Sequence, residues 1–111
     1  MIPVFFGFGA AAGAEEDTTP PTAPPSSPSA YYYGGSSVGV QWTNGDSSAS
    51  TQVGFSTSDI VDPASVTATV SPGITSYETG LGDPCYWYVR HIRNGFTTAW
   101  VQAPHEDGCT E

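Results

Sequence analysis

The chain predicts a small all-β protein, a seven-stranded antiparallel sandwich carried behind an extended N-terminal arm. Three observations lead there. From Ala30 onward, short runs rich in Val, Thr, Tyr and Trp alternate apolar with polar residues, the period of a half-buried strand. Gly, Pro, Asn and Asp interrupt these runs at short intervals, as tight turns require. No stretch repeats its apolar residues at helical spacing.

The elements follow in order. Ala30 to Tyr33 forms a first strand, ended by Gly34-Gly35. Val38, Val40 and Trp42 alternate with Gly39 and Gln41 in a second, and Asn44-Gly45-Asp46 marks the turn after it. Thr51, Val53 and Phe55 make a third alternating run, and Val66, Ala68 and Val70 a fourth, stopped by Ser71-Pro72-Gly73. Ile74 to Glu78 is a short fifth strand, followed by a corner from Gly80 to Pro84. Tyr86 to Arg93 is the strongest run. Asn94-Gly95 turns it into a seventh strand over Thr97 to Gln102.

Two segments precede the sandwich. Residues 15–28 contain five prolines behind Glu15-Glu16-Asp17, a composition that favours extended polyproline geometry and a semi-rigid spacer. At about 3 Å per residue such a tether reaches roughly 40 Å. Residues 1–14 are apolar and uncharged. They read as a docking arm in which Ile2, Val4, Phe5, Phe6 and Phe8 bury themselves in a partner, each phenylalanine contributing about 1.5–3 kcal/mol before ordering costs. A retained leader and a lipid-inserting tip are the competing readings. No Lys or Arg precedes the run, which counts against a secretory leader. A membrane span needs about 20 apolar residues, and this run stops at Glu15. The resulting division is arm 1–14, tether 15–28, sandwich 29–104 and acidic tail 105–111.

Charge narrows the function classes. Arg90 and Arg93 are the two basic residues of the 111, against eleven carboxylates, for a net charge of −9. Nucleic-acid binding requires several cations to displace counterions from phosphates, so no nucleic-acid partner is expected. An anionic membrane surface is repelled for the same reason, and no membrane partner is expected either. The acidic residues are scattered and none supplies the spaced oxygen ligands of a calcium loop, so no metal or other cofactor is expected.

The Trp42 strand, the Leu81 corner, and Tyr86-Trp87-Tyr88-Val89-Arg90-His91-Ile92-Arg93-Asn94-Gly95 followed by Thr97-Thr98-Ala99-Trp100 resemble a fibronectin type III domain, an immunoglobulin-like sandwich. The likeness covers about residues 24–103, and Val89 to Ile92 near the Ala99-Trp100 pair is similar to modules in bacteriophage virion proteins. The resemblance implies a three-plus-four-stranded sandwich in which Trp42 anchors the core, with Val40, Leu81 and Val89 beside it. In that family a tyrosine caps the corner before the sixth strand. Here Cys85, Tyr86, Trp87 and Tyr88 compete for its place, leaving the register open by one residue, a shift that exchanges the two faces.

If the sixth and seventh strands form a hairpin, Cys85 and Cys109 lie at its open end, and a disulfide between them closes a loop of 25 residues. Such a closure contributes about 3 kcal/mol and implies a non-reducing compartment. The alternative is two separate thiols in a reducing one. His91 sits within a strand, where packing or a surface position is the simpler role, and His105 lies in the acidic tail. Neither has metal-ligand spacing, and no serine sits in a nucleophile elbow, so no enzyme is expected. The adjacent aromatics Tyr31-Tyr32-Tyr33 and Tyr86-Trp87-Tyr88 must turn at least one ring outward, for packing against a neighbour or for stacking on a sugar. The expectation is a structural or decoration protein of a bacteriophage-like particle, on the virion surface and in many copies. Its arm would engage capsid, tail or like subunits, and its outer surface a host-surface glycan. The alternatives are an extracellular carbohydrate- or receptor-binding module and a filament subunit joined by arm exchange.

Overall fold

The computed structural model describes residues 18–33, 37–58, 62–63, 65–80 and 86–105. These residues form eight strands and no helix: β1 (Ser26–Tyr33), β2 (Ser37–Thr43), β3 (Ser50–Ser56), β4 (Ser65–Val70), β5 (Ser76–Glu78), β6 (Tyr86–Arg93), β7 (Phe96–Thr97) and β8 (Val101–Ala103). They assemble into two antiparallel sheets. One has the order β1-β2-β5; the other has the order β4-β3-β6-β7, with β8 also paired to β6.

One apolar core serves both sheets. Ala30, Val38, Val40 and Trp42 enter it from the first, and Val53, Trp87, Val89 and Ala103 from the second. The pairing explains the set. Directly opposed residues of an antiparallel pair share a face, so Ala30 opposite Val40, Val53 opposite Val89, and Trp87 opposite Ala103 all point inward together. Phe55 leans on Trp87 with ring centroids 5.4 Å apart. The register of β6 is therefore settled, with Trp87, Val89 and His91 inward and Tyr86, Tyr88 and Arg90 on the outer face.

Three departures from plain alternation have local causes. The strand expected from Ala30 begins at Ser26, so the boundary drawn at residue 28 falls inside β1. Ser27 takes a left-handed φ of 49° at a register shift between Ser26 and Ser29, and the buried Pro28 sits at that bulge, where the missing N–H breaks no ladder bond. In β4, Ala68 pairs with Val53 but Val66 pairs with Gly54, leaving Thr67 as an extra residue. The bulge turns Val66 outward, 48% exposed, although its spacing from Ala68 suggested the core. The expected seventh strand is broken in two for the same kind of reason. Thr97 opposes Ile92 and Val101 opposes Val89, so three residues on one side span two on the other. Thr98 fills the gap, its N–H donating to the His91 carbonyl (3.0 Å) and its hydroxyl accepting from the His91 N–H (3.1 Å).

The registers place the 44–49 connection, the 71–75 turn and the Asn94-Gly95 turn at one end of the domain. Asn94 and Gly95 have φ of 54° and 83°, the positive values a two-residue hairpin turn of this hand requires.

Candidate functional site

The chain enters the fold at that same end, and the entry is fastened. Thr22 N–H donates to Asp46 Oδ2 (3.1 Å), the Thr22 hydroxyl to the Gly45 carbonyl (3.1 Å), and Asn94 Nδ2 to the Thr19 carbonyl (2.8 Å). Pro25 is fully buried. Gly45 has no room for a side chain, since a Cβ there would collide with the Pro24 carbonyl oxygen. Residues 19–25 thus lie along the domain as a strap instead of standing away from it.

Asp46 and His91 hold the strap's seat. Asp46 Oδ1 accepts from Ser48 N–H (2.9 Å), the local bond an aspartate makes two residues ahead in a turn, and Oδ2 accepts from Arg93 Nη1 (3.0 Å). The Ser48 N–H, followed by Arg93 and Thr22 N–H, holds the Asp46 carboxyl below its ordinary value against the opposing effect of burial. His91 is fully buried beneath this turn. Its Nε2 accepts from Gly45 N–H (3.1 Å) and more weakly from Asp46 N–H (3.4 Å), which places the ring proton on Nδ1, beside the Ser50 carbonyl (3.2 Å) and Thr51 Oγ1 (3.0 Å). Both ring nitrogens thus have hydrogen-bond partners within the fold.

His105 closes the opposite terminus differently. The Ala30 N–H donates to the Pro104 carbonyl (2.8 Å), and a parallel bridge joins Ala30 to His105 across the two sheets. The His105 ring rests on Tyr32 with centroids 4.4 Å apart, and its two buried nitrogens have no hydrogen-bond partner among the described residues.

The outer faces offer the remaining chemistry. On the first sheet Tyr31 lies across Gly39, where a Cβ would meet the ring at 2.6 Å, and Gln41 Nε2 donates to Ser29 Oγ (3.2 Å). A shallow polar depression of about 350 Å³ adjoins it, lined by Ser27, Gln41, Trp42, Thr43, Thr75 and Ser76. On the second sheet a row runs across the strands: Gln52 Nε2 to Thr69 Oγ1 (3.4 Å), Arg90 Nε to Gln52 Oε1 (2.7 Å), and the Arg90 guanidinium 4.3 Å from the Trp100 ring centroid. Tyr88, on the same face beside Gly54, is buried.

Of the residues singled out from the sequence, Val40, Trp42 and Val89 stand together in the core. Ile2, Val4, Phe5, Phe6, Phe8, Leu81, Cys85 and Cys109 lie outside the described residues, and with them the arm and the cysteine pairing. Sequence reasoning missed the strap and the Asp46–His91–Arg93 cluster. The one signal for the cluster was Asp46 two residues before Ser48, an aspartate turn; nothing local announced Arg93, 47 residues away. Among the described residues no three His, Cys, Asp or Glu side chains converge as metal ligands, and no helix is long and apolar enough to cross a membrane. Comparison with protein-family models, curated proteins and solved structures finds no match.

Proposed function

We propose that the chain is a non-enzymatic structural protein that anchors through its apolar N-terminal arm and displays the β domain outward. The observation that carries this reading is the strap. A tail joined by a free linker samples all directions and loses entropy when its end is captured. Here residues 19–25 are bonded to the domain through Asp46, Gly45 and Asn94, so the arm departs from a fixed end. A partner that buries Ile2, Val4, Phe5, Phe6 and Phe8 then holds the domain by this end, with the opposite end outermost.

The fold is proposed to be a fibronectin type III-like sandwich. Support comes from a three-stranded sheet opposed to a four-position sheet, in which β7 and β8 share the place of one last strand beside β6. The resemblance points to a bacteriophage-like particle as the setting, with capsid, tail or like subunits receiving the arm. A charge of −9 keeps neighbouring displayed domains apart in a crowded array.

Light scattering on the full chain and on a variant lacking residues 1–14 tests the reading. Two monomers of equal folded stability, of which the full chain alone binds an added particle, are the expected result. Large assemblies formed by the full chain alone would replace it with a filament joined by arm exchange.

A further inference from the structure

We infer that the outer face of the β1-β2-β5 sheet binds a neutral, hydroxyl-rich sugar in the depression beside the β1 bulge, with Gln41 and Ser27 as its principal contacts. The site uses no part of the arm, so its test and the test of the anchoring reading fail independently.

Three observations converge on the depression. The first is how it forms. Ser29 lies opposite Gln41 and Ser26 opposite Thr43, so β1 carries one residue more than β2 across this step. The extra residue bends the strand. The space beside it, about 350 Å³, is lined by Ser27, Gln41, Trp42, Thr43, Thr75 and Ser76. Sites for small ligands begin near that size, at about 300 Å³.

The second is unused hydrogen-bonding capacity. Gln41 donates Nε2 to Ser29 Oγ (3.2 Å), which fixes its amide and leaves Oε1 as an acceptor. The exposed hydroxyls of Ser27, Thr43, Thr75 and Ser76 make no hydrogen bond among the described residues. Ser27, Thr43 and Ser76 sit on three paired strands, and the Trp42 N–H holds the Thr75 carbonyl (3.0 Å). Their spacing is set before a ligand arrives, which lowers the ordering cost of binding.

The third is the backbone of Ser27. Ser27 and Asn94 are the described non-glycine residues with positive φ, at 49° and 54°. Asn94 belongs to a hairpin turn that requires such a value. At Ser27 a glycine would take the same conformation without strain, so a serine held there points to a use for its side chain.

The lining decides the ligand. No charged side chain belongs to it, so a phosphate or carboxylate finds no cation. Glu78, two residues from Ser76 on the same face of β5, and a net charge of −9 repel anions further. An apolar ligand finds Trp42 alone, and that ring is 5% exposed. An added peptide strand needs a sheet edge, whereas Gln41 lies on the central strand β2. Sugar hydroxyls both donate and accept, as Ser and Thr hydroxyls do, and pair with them without charge. Neutral bonds in a shallow site give weak binding, about millimolar.

Titration of the ¹⁵N-labelled full chain with glucose, galactose, mannose, N-acetylglucosamine and sodium glucuronate tests the site. The signals to follow are the Gln41 side-chain amide and the backbone amides of Thr43 and Ser76. At least one neutral sugar is expected to shift them saturably while the Gln102 amide on the other sheet stays put, and glucuronate is expected to bind more weakly. Gln41→Ala, on the exposed face, should weaken binding about fivefold, the loss of one neutral hydrogen bond. Ser27→Gly separates binding from folding: the thermal melt should hold or rise while affinity falls by a similar factor. Absence of saturable shifts at these amides with every neutral sugar, glucuronate binding as tightly as the best of them, or full affinity in either variant would each overturn the proposal.

Discussion

The two histidines fasten the two ends of the domain by different physics. His91 is wired: both ring nitrogens sit in hydrogen-bond contacts, and the turn it supports seats the N-terminal strap through Asp46. Among the described residues His105 is packed and not bonded, its ring on Tyr32 and its buried nitrogens without partners there. A directional network fixes one geometry because any displacement leaves buried donors unmade, whereas a ring stack tolerates sliding. The end from which the arm departs therefore has the stricter geometry.

The same substitution should have opposite consequences at the two sites. His91→Phe keeps the ring but strands Gly45 N–H, the Ser50 carbonyl and the Thr51 hydroxyl. At about 1–3 kcal/mol for each group left unmade, offset by partial relaxation, the loss should be about 3–4 kcal/mol in urea unfolding. A smaller effect of under about 1 kcal/mol would mean that the network is not closed.

Gly45→Ala attacks the strap alone. Its Cβ would collide with the Pro24 backbone, so residues 19–25 must lift, at about 1–3 kcal/mol of overpacking. Limited proteolysis should then cut within the strap while the sheets stay folded. Uncut strap with unchanged stability would show that the contact gives way without consequence.

Asp46→Asn sharpens the comparison through pH. The folded-state pKa of Asp46 lies below the ordinary 3.8, so its contribution is fully present above that value and is lost as the pH falls through the lower folded one. Wild type should exceed the Asn variant in stability at neutral pH, and the gap should close in the acid limb. A gap constant with pH would assign the difference to lost geometry and not to charge.

The smallest effect belongs to His105→Phe. The stack on Tyr32 survives and two polar atoms unpartnered among the described residues disappear, so stability should hold or rise by about 1 kcal/mol. A clear loss would reveal a partner for His105 in the tail.

Much of the fold was legible because Val38, Val40 and Trp42 in β2 and Thr51, Val53 and Phe55 in β3 recur at every second position, and the Asn94-Gly95 pair announces its own turn. What escaped lies where local pattern and tertiary context part. Proline spacing in residues 15–28 reads as a semi-rigid spacer standing off the domain, yet Pro25 and Pro28 are buried, because an isolated segment's composition does not reveal an available seat. The bulge at Thr67 reverses Val66, and its one local mark is Gly54 on the partner strand, which an alternation count passes over. The candidate sites were less visible still. Arg90 and Trp100 become neighbours only once the β6–β8 register is known, and Asp46 meets Arg93 from 47 residues away in sequence.

Hydrogen exchange at the Thr22 amide tests the fastened entry most directly, since that N–H donates to Asp46 Oδ2. Protection in the full chain, lost in Gly45→Ala while the Val40 amide stays protected, is the predicted result. Exchange of Thr22 at the rate of an unstructured peptide in the wild-type protein would show that the strap is free, and the arm's fixed departure would fall with it.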